Sequence, residues 1–527
     1  MAERIMVVGG GTMGVGIALA AARGGYDVEI VEPQDAARRR GLEYLAREAQ
    51  RDESSIAERI TWTSSIAPRS GTTAAIEAVP ERFEIKRDVF MALANALDGE
   101  ALLATNTSSL SVADLADVVP EPQRVLGLHF FNPPTRMALV EVVRALQTSD
   151  DTLERAVELV ERIGKNAVVT ADTPGFIVNR VARPYYLQAL RALQRGVASS
   201  QELDALARGA GFRMGPFELI DLIGLDVNLA TSESIYARTS AARLAPAALQ
   251  REMVARGLLG RKSGEGFYNY RDGNPPRFDP AATLADSRQN DEESVAVIGV
   301  GGVADEFAQA IEPRYARISR IENDEVLDDL SPDTTILVDV GDGSSDRSEI
   351  IAQLDQRLGA ETVLFADAYA TDLAVCVQQL RHPERLVGYG VLASLEGQRV
   401  VEIVDSDAAS DDSLELAQEF FGSLDKGVVL VEDAAGLFLG RTVGSIVNEA
   451  MIAVQERVAS PDDIDAAMRL GANYPVGPIA WGREIGGARL TRILRRLADA
   501  EGEAFAPHRS LWVLDVESAP ESDEATQ

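Results

Sequence analysis

The residues best suited to chemistry stand in the first half of the chain: a histidine, a carboxylate, a pair of hydroxyls and, upstream, a glycine loop. His129 is one of only three histidines, with His382 and His508, and it closes the apolar run LGLHFF. The carboxyl ends of strands are where open α/β sheets present reactive groups. Glu141 lies inside a second apolar run, ALVEVV, where a carboxylate is costly unless it is paired. A His–Glu pair satisfies both groups and orients the imidazole as a general base. NTSSL (106–110) follows a third run and offers the hydroxyls of Ser108 and Ser109. Upstream, Gly9, Gly11 and Gly14 form GxGxxG between the strand-like RIMVV and an apolar helix. The first glycine permits the tight turn, the second lets a pyrophosphate approach the backbone, and the third lets helix and strand pack closely. The helix N-terminus would then face the phosphates. Glu32 ends the next strand, where a carboxylate accepts from the adenine ribose hydroxyls and repels a 2′-phosphate, so NAD is expected rather than NADP.

Elements must hold these groups. Strand-like runs at 4–8, 27–31, 72–76, 101–104, 125–128 and 138–143 alternate with helical stretches such as 34–51, which predicts a largely parallel, doubly wound Rossmann sheet. After Asp172 the pattern turns helical, through 175–260. At Ser294 the first pattern restarts with SVAVIGVGGVADEF. Residues 126–143 align with 387–404 and 172–180 with 433–441, the same 261-residue shift in both blocks. MGPFELIDLIG (214–224) echoes VGPIAWGREIG (476–486) after a one-residue slip. The glycine loops lie 290 apart (9 and 299), so the second copy is about thirty residues shorter near its start. The expected domains are a nucleotide-binding sheet at 1–172, an all-α domain at 173–270 and a linker at 271–293. A degenerate sheet at 294–432, a second helical domain at 433–512 and a disordered acidic tail at 513–527 follow. The second loop keeps Gly299, Gly301 and Ala304, but Asp305 and Glu306 at its helix start oppose a pyrophosphate, which predicts a retained fold without nucleotide.

Composition narrows the partners. Of 527 residues, 46% are hydrophobic and 25% charged, and no apolar window approaches a membrane span. The start, MAERIMVVGGG, has neither the basic region nor the apolar core of a secretory signal, and a lone Cys376 excludes an intrachain disulfide and argues against zinc or another metal site. A cytoplasmic protein is expected. With 51 basic and 83 acidic residues the net charge is −32, which disfavours nucleic acid and anionic membranes. Lysine occurs only at Lys86, Lys165, Lys262 and Lys426; an acidic, lysine-poor surface suits high salt, and equally an ordinary soluble protein with an arginine bias.

HFFNPP, NTSSL, DTPGFIVNR, GAGFRMGPFELIDLIGLD and GRKSGEGFYNY, taken together over the first 270 residues, resemble the 3-hydroxyacyl-CoA dehydrogenase family. The resemblance implies NAD-dependent oxidation of an (S)-3-hydroxyacyl-CoA to the 3-ketoacyl-CoA, as in fatty-acid β-oxidation or butyryl-CoA metabolism. It implies His129 as base, Glu141 as its partner, Ser108 on the substrate hydroxyl, Asn179 reaching in from the helical domain and Asn132 in support. Gly9, Gly11, Thr12, Met13, Gly14, Glu32, Glu81, Lys86 and Asn106 would meet the cofactor, and Arg39, with Arg38, Arg40 and Arg47, the CoA. At the 261 shift His129 becomes Gly390, Ser108 becomes Tyr369 and Asn179 becomes Gly440, while Glu141 persists as Glu402; Glu81 and Lys86 become Asp342 and Arg347. The second copy is therefore expected to be catalytically dead, with its helical domain, 433–512, packing on 175–270 as an intramolecular pseudo-dimer of helical domains and a homodimer of whole chains still open. The rival readings are a dehydrogenase of free hydroxyacids or sugar acids and a non-catalytic NAD-binding protein.

Overall fold

The computed structural model describes residues 3–49, 54–68, 71–273, 275, 277–280, 290–322, 330–341 and 347–516. Eight strands make the first sheet: β1 Arg4–Val8, β2 Asp27–Val31, β3 Ile60–Thr63, β4 Thr72–Glu77, β5 Leu102–Thr105, β6 Val125–Phe130, β7 Leu139–Arg144 and β8 Asn166–Ala171. Their order is β3-β2-β1-β4-β5-β6-β7-β8, and every pairing is parallel except β6 with β7, which run antiparallel. Helices cover both faces: α1 Thr12–Arg23, α2 Asp35–Ala49, α3 Phe83–Ala96, α4 Val112–Ala116 and α5 Asp150–Arg162. The alternation of β1 shows why its run is apolar throughout. Ile5 and Val7 pack in one core with Val15, Ile17, Leu159 and Val160, whereas Met6 and Val8 pack in another with Phe90, Leu93 and Leu115. After β8 come the single-turn α6 Val178–Val181, then α7 Arg183–Gln194, α8 Ser200–Gly209 and further helices to Ala255.

The second sheet repeats this plan with β9 Asn290–Gly299, β10 Tyr315–Ile321, β11 Ile336–Gly341, β12 Val363–Asp367, β13 Leu386–Gly390, β14 Val400–Asp405 and β15 Gly427–Glu432. Its order, β10-β9-β11-β12-β13-β14-β15, is that of the first sheet without the β3 edge, and β13 with β14 is again the antiparallel pair. Between β10 and β11 the described residues contain no counterpart of α2 or β3, which accounts for the shorter start of the second copy. The fold is thus a doubly wound Rossmann sheet plus a helical domain, repeated. Two expected segments look different here. β9 begins within the expected linker, whose residues 281–289 lie outside the described ones, and Val513–Val516 forms a helical turn at the head of the expected tail, whose residues 517–527 also lie outside.

The chain forms two compact units. One comprises Met1–Val181, Ala237–Thr239 and Ala453–Asn473; the other comprises Ala182–Tyr236, Ser240–Ile452 and Tyr474–Gln527.

Candidate active site

The antiparallel turn between β6 and β7 sets His129 directly across from Glu141. Nδ1 of His129 lies 2.6 Å from Oε2 of Glu141, and the carboxylate is wholly buried. Its other oxygen, Oε1, accepts from the backbone N–H groups of Ile177 at 3.0 Å and Val178 at 2.9 Å. Those donors converge because Gly175 and Phe176 both take left-handed backbone angles, φ 82° and 48°, just before α6. Such a conformation is unfavourable for a phenylalanine and persists only where its surroundings enforce it. The Phe176 ring centroid is 5.8 Å from that of His129, and Phe131 stands closer, at 4.6 Å. A carboxylate can only accept, so opposite Glu141 the donor is Nδ1–H, and Nε2 is the ring nitrogen with a lone pair.

The hydroxyl loop is fastened beside this pair. Asn106 accepts from the N–H of Phe130, the residue after His129, at 2.8 Å. Glu81 Oε1 gathers the Thr107 hydroxyl at 2.6 Å, the N–H groups of Ser108 and Ser109 at 2.9 and 3.0 Å, and the Ser109 hydroxyl at 2.9 Å. Burial pushes the Glu81 carboxyl up, yet Lys86 and these donors together hold it below its usual range. Lys86 is itself buried, 2.7 and 2.9 Å from the two oxygens of Glu77 and 3.2 Å from Glu81. Desolvation raises Glu77 in spite of that ammonium. Glu81 and Lys86 therefore join an ion network that shapes the 106–109 loop. Asn179 lies half-exposed on α6, next to Val178, Asn132 is exposed in the turn after β6, and Arg39 is exposed on α2. Sequence reasoning did not single out Glu77, Phe176 or the N–H groups of Ile177 and Val178; an acidic residue closing the run TTAAIE was the one available signal for Glu77.

The glycine loop fits a dinucleotide. Gly9 has φ 115°, a Cβ on Gly14 would lie 1.9 Å from the Gly9 carbonyl oxygen, and around Gly11 a Cβ would meet nothing within 4 Å. The N-terminus of α1 has no side-chain cap and no acidic residue in its first turn, so its N–H groups are available to an anion. Thr12 is exposed and Met13 half-buried at that terminus. Glu32 accepts from the N–H groups of Gly10 and Gln34, both at 2.9 Å, which fixes a carboxylate at the loop.

The second copy keeps the carboxylate and changes what sits on it. Glu402 accepts from the N–H groups of Phe438 at 2.7 Å and Leu439 at 3.2 Å, after left-handed Gly436 and Leu437. The Tyr369 hydroxyl donates to Glu402 at 2.6 Å, where the imidazole would stand. Its ring needs glycine on both sides: a Cβ at Gly390 would come within 2.6 Å of it and one at Gly440 within 2.8 Å. On the helix Gly487–Glu501, Arg489 donates to the Val391 carbonyl at 2.7 Å and to Asp367 at 2.9 Å, and Arg496 donates to the Ala368 carbonyl at 2.7 Å. Burial raises Glu402 to about 7. At the second loop Arg320 reaches the Gly299 carbonyl and, at 3.3 Å, Asp305, while Glu306 accepts from Ser394 and from the N–H of Glu396.

The NAD-binding domain of the 3-hydroxyacyl-CoA dehydrogenase family matches residues 4–173 and again 309–434, and that family's C-terminal domain matches 175–270 and 436–526. The 3-hydroxyadipyl-CoA dehydrogenase of Escherichia coli (strain K12) is 35% identical over 514 residues, 95% of this chain and 94% of its own length. A probable 3-hydroxybutyryl-CoA dehydrogenase of Bacillus subtilis (strain 168) is 37% identical over 281 residues, 51% of this chain and 98% of its own. The crystal structure of 3-hydroxybutyryl-CoA dehydrogenase from Escherichia coli K12 aligns with a TM-score of 0.77 at 32% identity, covering 98% of this chain and 100% of that one.

Proposed function

The chain belongs to the 3-hydroxyacyl-CoA dehydrogenase family, and on that premise we propose that His129, held by Glu141, is the general base that takes the hydroxyl proton while an (S)-3-hydroxyacyl-CoA is oxidised by NAD to the 3-ketoacyl-CoA. The enzyme is an NAD-dependent oxidoreductase. The observation that carries the assignment of the base is the 2.6 Å contact of Nδ1 with a buried carboxylate whose other oxygen is already bound by two N–H groups. Glu141 cannot swing away, so it fixes the ring and leaves Nε2 to take the hydroxyl proton. Ser108 and Asn179 steady the charge that develops on the substrate oxygen. NAD, when bound, supplies the hydride acceptor. Gly9, Gly11, Thr12, Met13, Gly14 and Asn106 would hold it, and the carboxylate of Glu32 would receive its ribose. Arg38, Arg39 and Arg40 on α2 would meet the phosphates of CoA. NADH consumption with acetoacetyl-CoA tests the reading: His129→Ala is expected to lower kcat by about 10³-fold with NADH affinity retained. A His129→Ala enzyme that turns over like wild type would remove the imidazole from the mechanism.

A dicarboxylic acyl chain is a second reading. Arg238 is exposed and donates to the Ser109 carbonyl at 2.9 Å, which brings a guanidinium to the hydroxyl loop. One relative that covers 95% of this chain is a 3-hydroxyadipyl-CoA dehydrogenase. A kcat/KM for 3-oxoadipyl-CoA well above that for acetoacetyl-CoA, lost in Arg238→Ala, would select it.

The second half is read as a built-in partner subunit. Ala171 N–H donates to the Val458 carbonyl and Glu432 N–H to the Val197 carbonyl, and the 261 shift exchanges the two pairs. Gly471 faces Leu139, and Gly209 faces Val400. Reciprocal contacts of this kind are what a twofold interface produces. Sedimentation is expected to return the mass of one chain; a two-chain species would speak for a homodimer instead. A cytoplasmic location is inferred from the single, buried Cys376, and no helix among the described residues is long and apolar enough to cross a membrane.

A further inference from the structure

We infer that the helix Pro461–Gly471, although it belongs to the half of the chain whose buried carboxylate carries no imidazole, is a positioning element for the His129–Glu141 pair, with Gly471 as its contact residue and Glu456 as its tether. The inference rests on the reading of that pair as base and orienter. The helix packs on α6, β7 and β8 within one compact unit. A Cβ built on Gly471 would lie 2.6 Å from Cδ2 of Leu139, 3.0 Å from Cγ2 of Val178 and 3.6 Å from Cζ of Phe131.

Each of these three neighbours leads to the pair by a different route. Leu139 is two residues before Glu141 on β7 and shares its face. Val178 donates its own N–H to Glu141. The ring of Phe131 lies against that of His129. One backbone surface, bare of a side chain, thus sets the height of all three supports.

The tether acts on the same element. Arg180 on α6 is buried and pairs with Glu456 at 2.7 Å. Just beyond, the Val458 carbonyl accepts the N–H of Ala171 at the end of β8, at 2.8 Å. A four-residue helix does not hold itself in water, so the position of its N–H groups depends on what it packs against. A displacement of about 1 Å in a catalytic group can cost about 10²-fold in rate.

The test uses the full chain, with kcat expressed per NADH-binding site and the NADH dissociation constant measured alongside. Gly471→Leu is expected to lose about tenfold or more in kcat with NADH affinity unchanged. Adding Leu139→Ala should return most of the loss by restoring space, and Leu139→Ala alone closes the double-mutant cycle. Glu456→Gln should lower kcat several-fold, again without weakening NADH. If Gly471→Leu does not fold, Gly471→Ala carries the same expectation in smaller measure, with the same rescue. Wild-type kcat per site in the Gly471 and Glu456 variants, or a loss that Leu139→Ala does not relieve, would overturn the inference. A wild-type enzyme that binds NADH but turns over no acyl-CoA would instead overturn the reading beneath it.

Discussion

At the scale of single residues the two halves pose one question twice: what may sit on a buried carboxylate held by two backbone N–H groups. In the first half the answer is an imidazole, which meets the carboxylate through Nδ1 and, on the proposed mechanism, would take a proton at Nε2. In the second it is the Tyr369 hydroxyl, which occupies the space and offers no base at neutral pH, because burial and the neighbouring Glu402 push its pKa far above the usual phenol value. Glu402 itself is raised from 4.5 to about 7 by burial. A carboxyl whose pKa is raised on folding favours the protonated state. Its contribution to stability is complete below about 4.5 and is lost as pH climbs through about 7, on the order of 3 kcal/mol for a shift of this size. Buried Asp204, also raised to about 7, titrates in both proteins, but Glu402→Gln cannot ionise at 402, so its unfolding free energy is expected to fall less across that window than that of wild type. Urea unfolding at pH 5 and pH 8 reads the difference, and parallel losses in both proteins would assign the pH dependence to another group.

Elements decide whether those residues meet. The third glycine of the first loop exists because α1 starts against its own strand, and one methyl group there would strike the Gly9 carbonyl at 1.9 Å. The second loop carries Ala304 at that place. Gly14→Ala is therefore expected to weaken NADH binding by about tenfold or more through displacement of the α1 N-terminus; fluorescence titration giving wild-type affinity would show that the helix start tolerates the shift. The longer apolar elements were legible, β1, α1, β2 and β6 among them, because their runs are continuous or periodic. In the first sheet two strands were not. ITWT of β3 buries only Ile60, and NAVVTA of β8 is half-buried with an exposed first residue, so neither has a strong pattern. The pairing of His129 with Glu141 could be argued from the cost of burying a carboxylate, but the antiparallel turn that creates it interrupts an otherwise parallel sheet and has no signature in residue type. Backbone donors are equally silent, which is why Ile177 and Val178 went unread. GRKSGEGFYNY is one of the motifs that carry the family resemblance, and its backbone serves the helical domain: Phe267 and Tyr268 donate to buried Asp221 at 3.0 Å, and a Cβ on Gly266 would meet that carboxylate at 2.1 Å.

For the whole molecule the duplication sets a count: two sheets, two glycine loops, and a net charge of −32 that opposes every anionic ligand. Against such a field a dinucleotide is held only where local donors outweigh it. The first loop offers uncapped N–H groups at a helix start free of carboxylates. The second has Asp305 in its first turn with Arg320 drawn onto it and onto the Gly299 carbonyl, and Glu306 spent on the 394–396 turn. It also has no counterpart of β3 among the described residues, so the side of the sheet that carries Glu32 in the first half is cut short. NADH titration of the full chain is accordingly expected to saturate at one equivalent, and Gly14→Ala should weaken that equivalent without uncovering another. A stoichiometry of two would mean that Asp305 and Glu306 do not keep the dinucleotide out. The second half would then be a nucleotide-carrying domain without a base, and its bound cofactor, not only its packing, would have to be counted in the response of the enzyme to the NADH level.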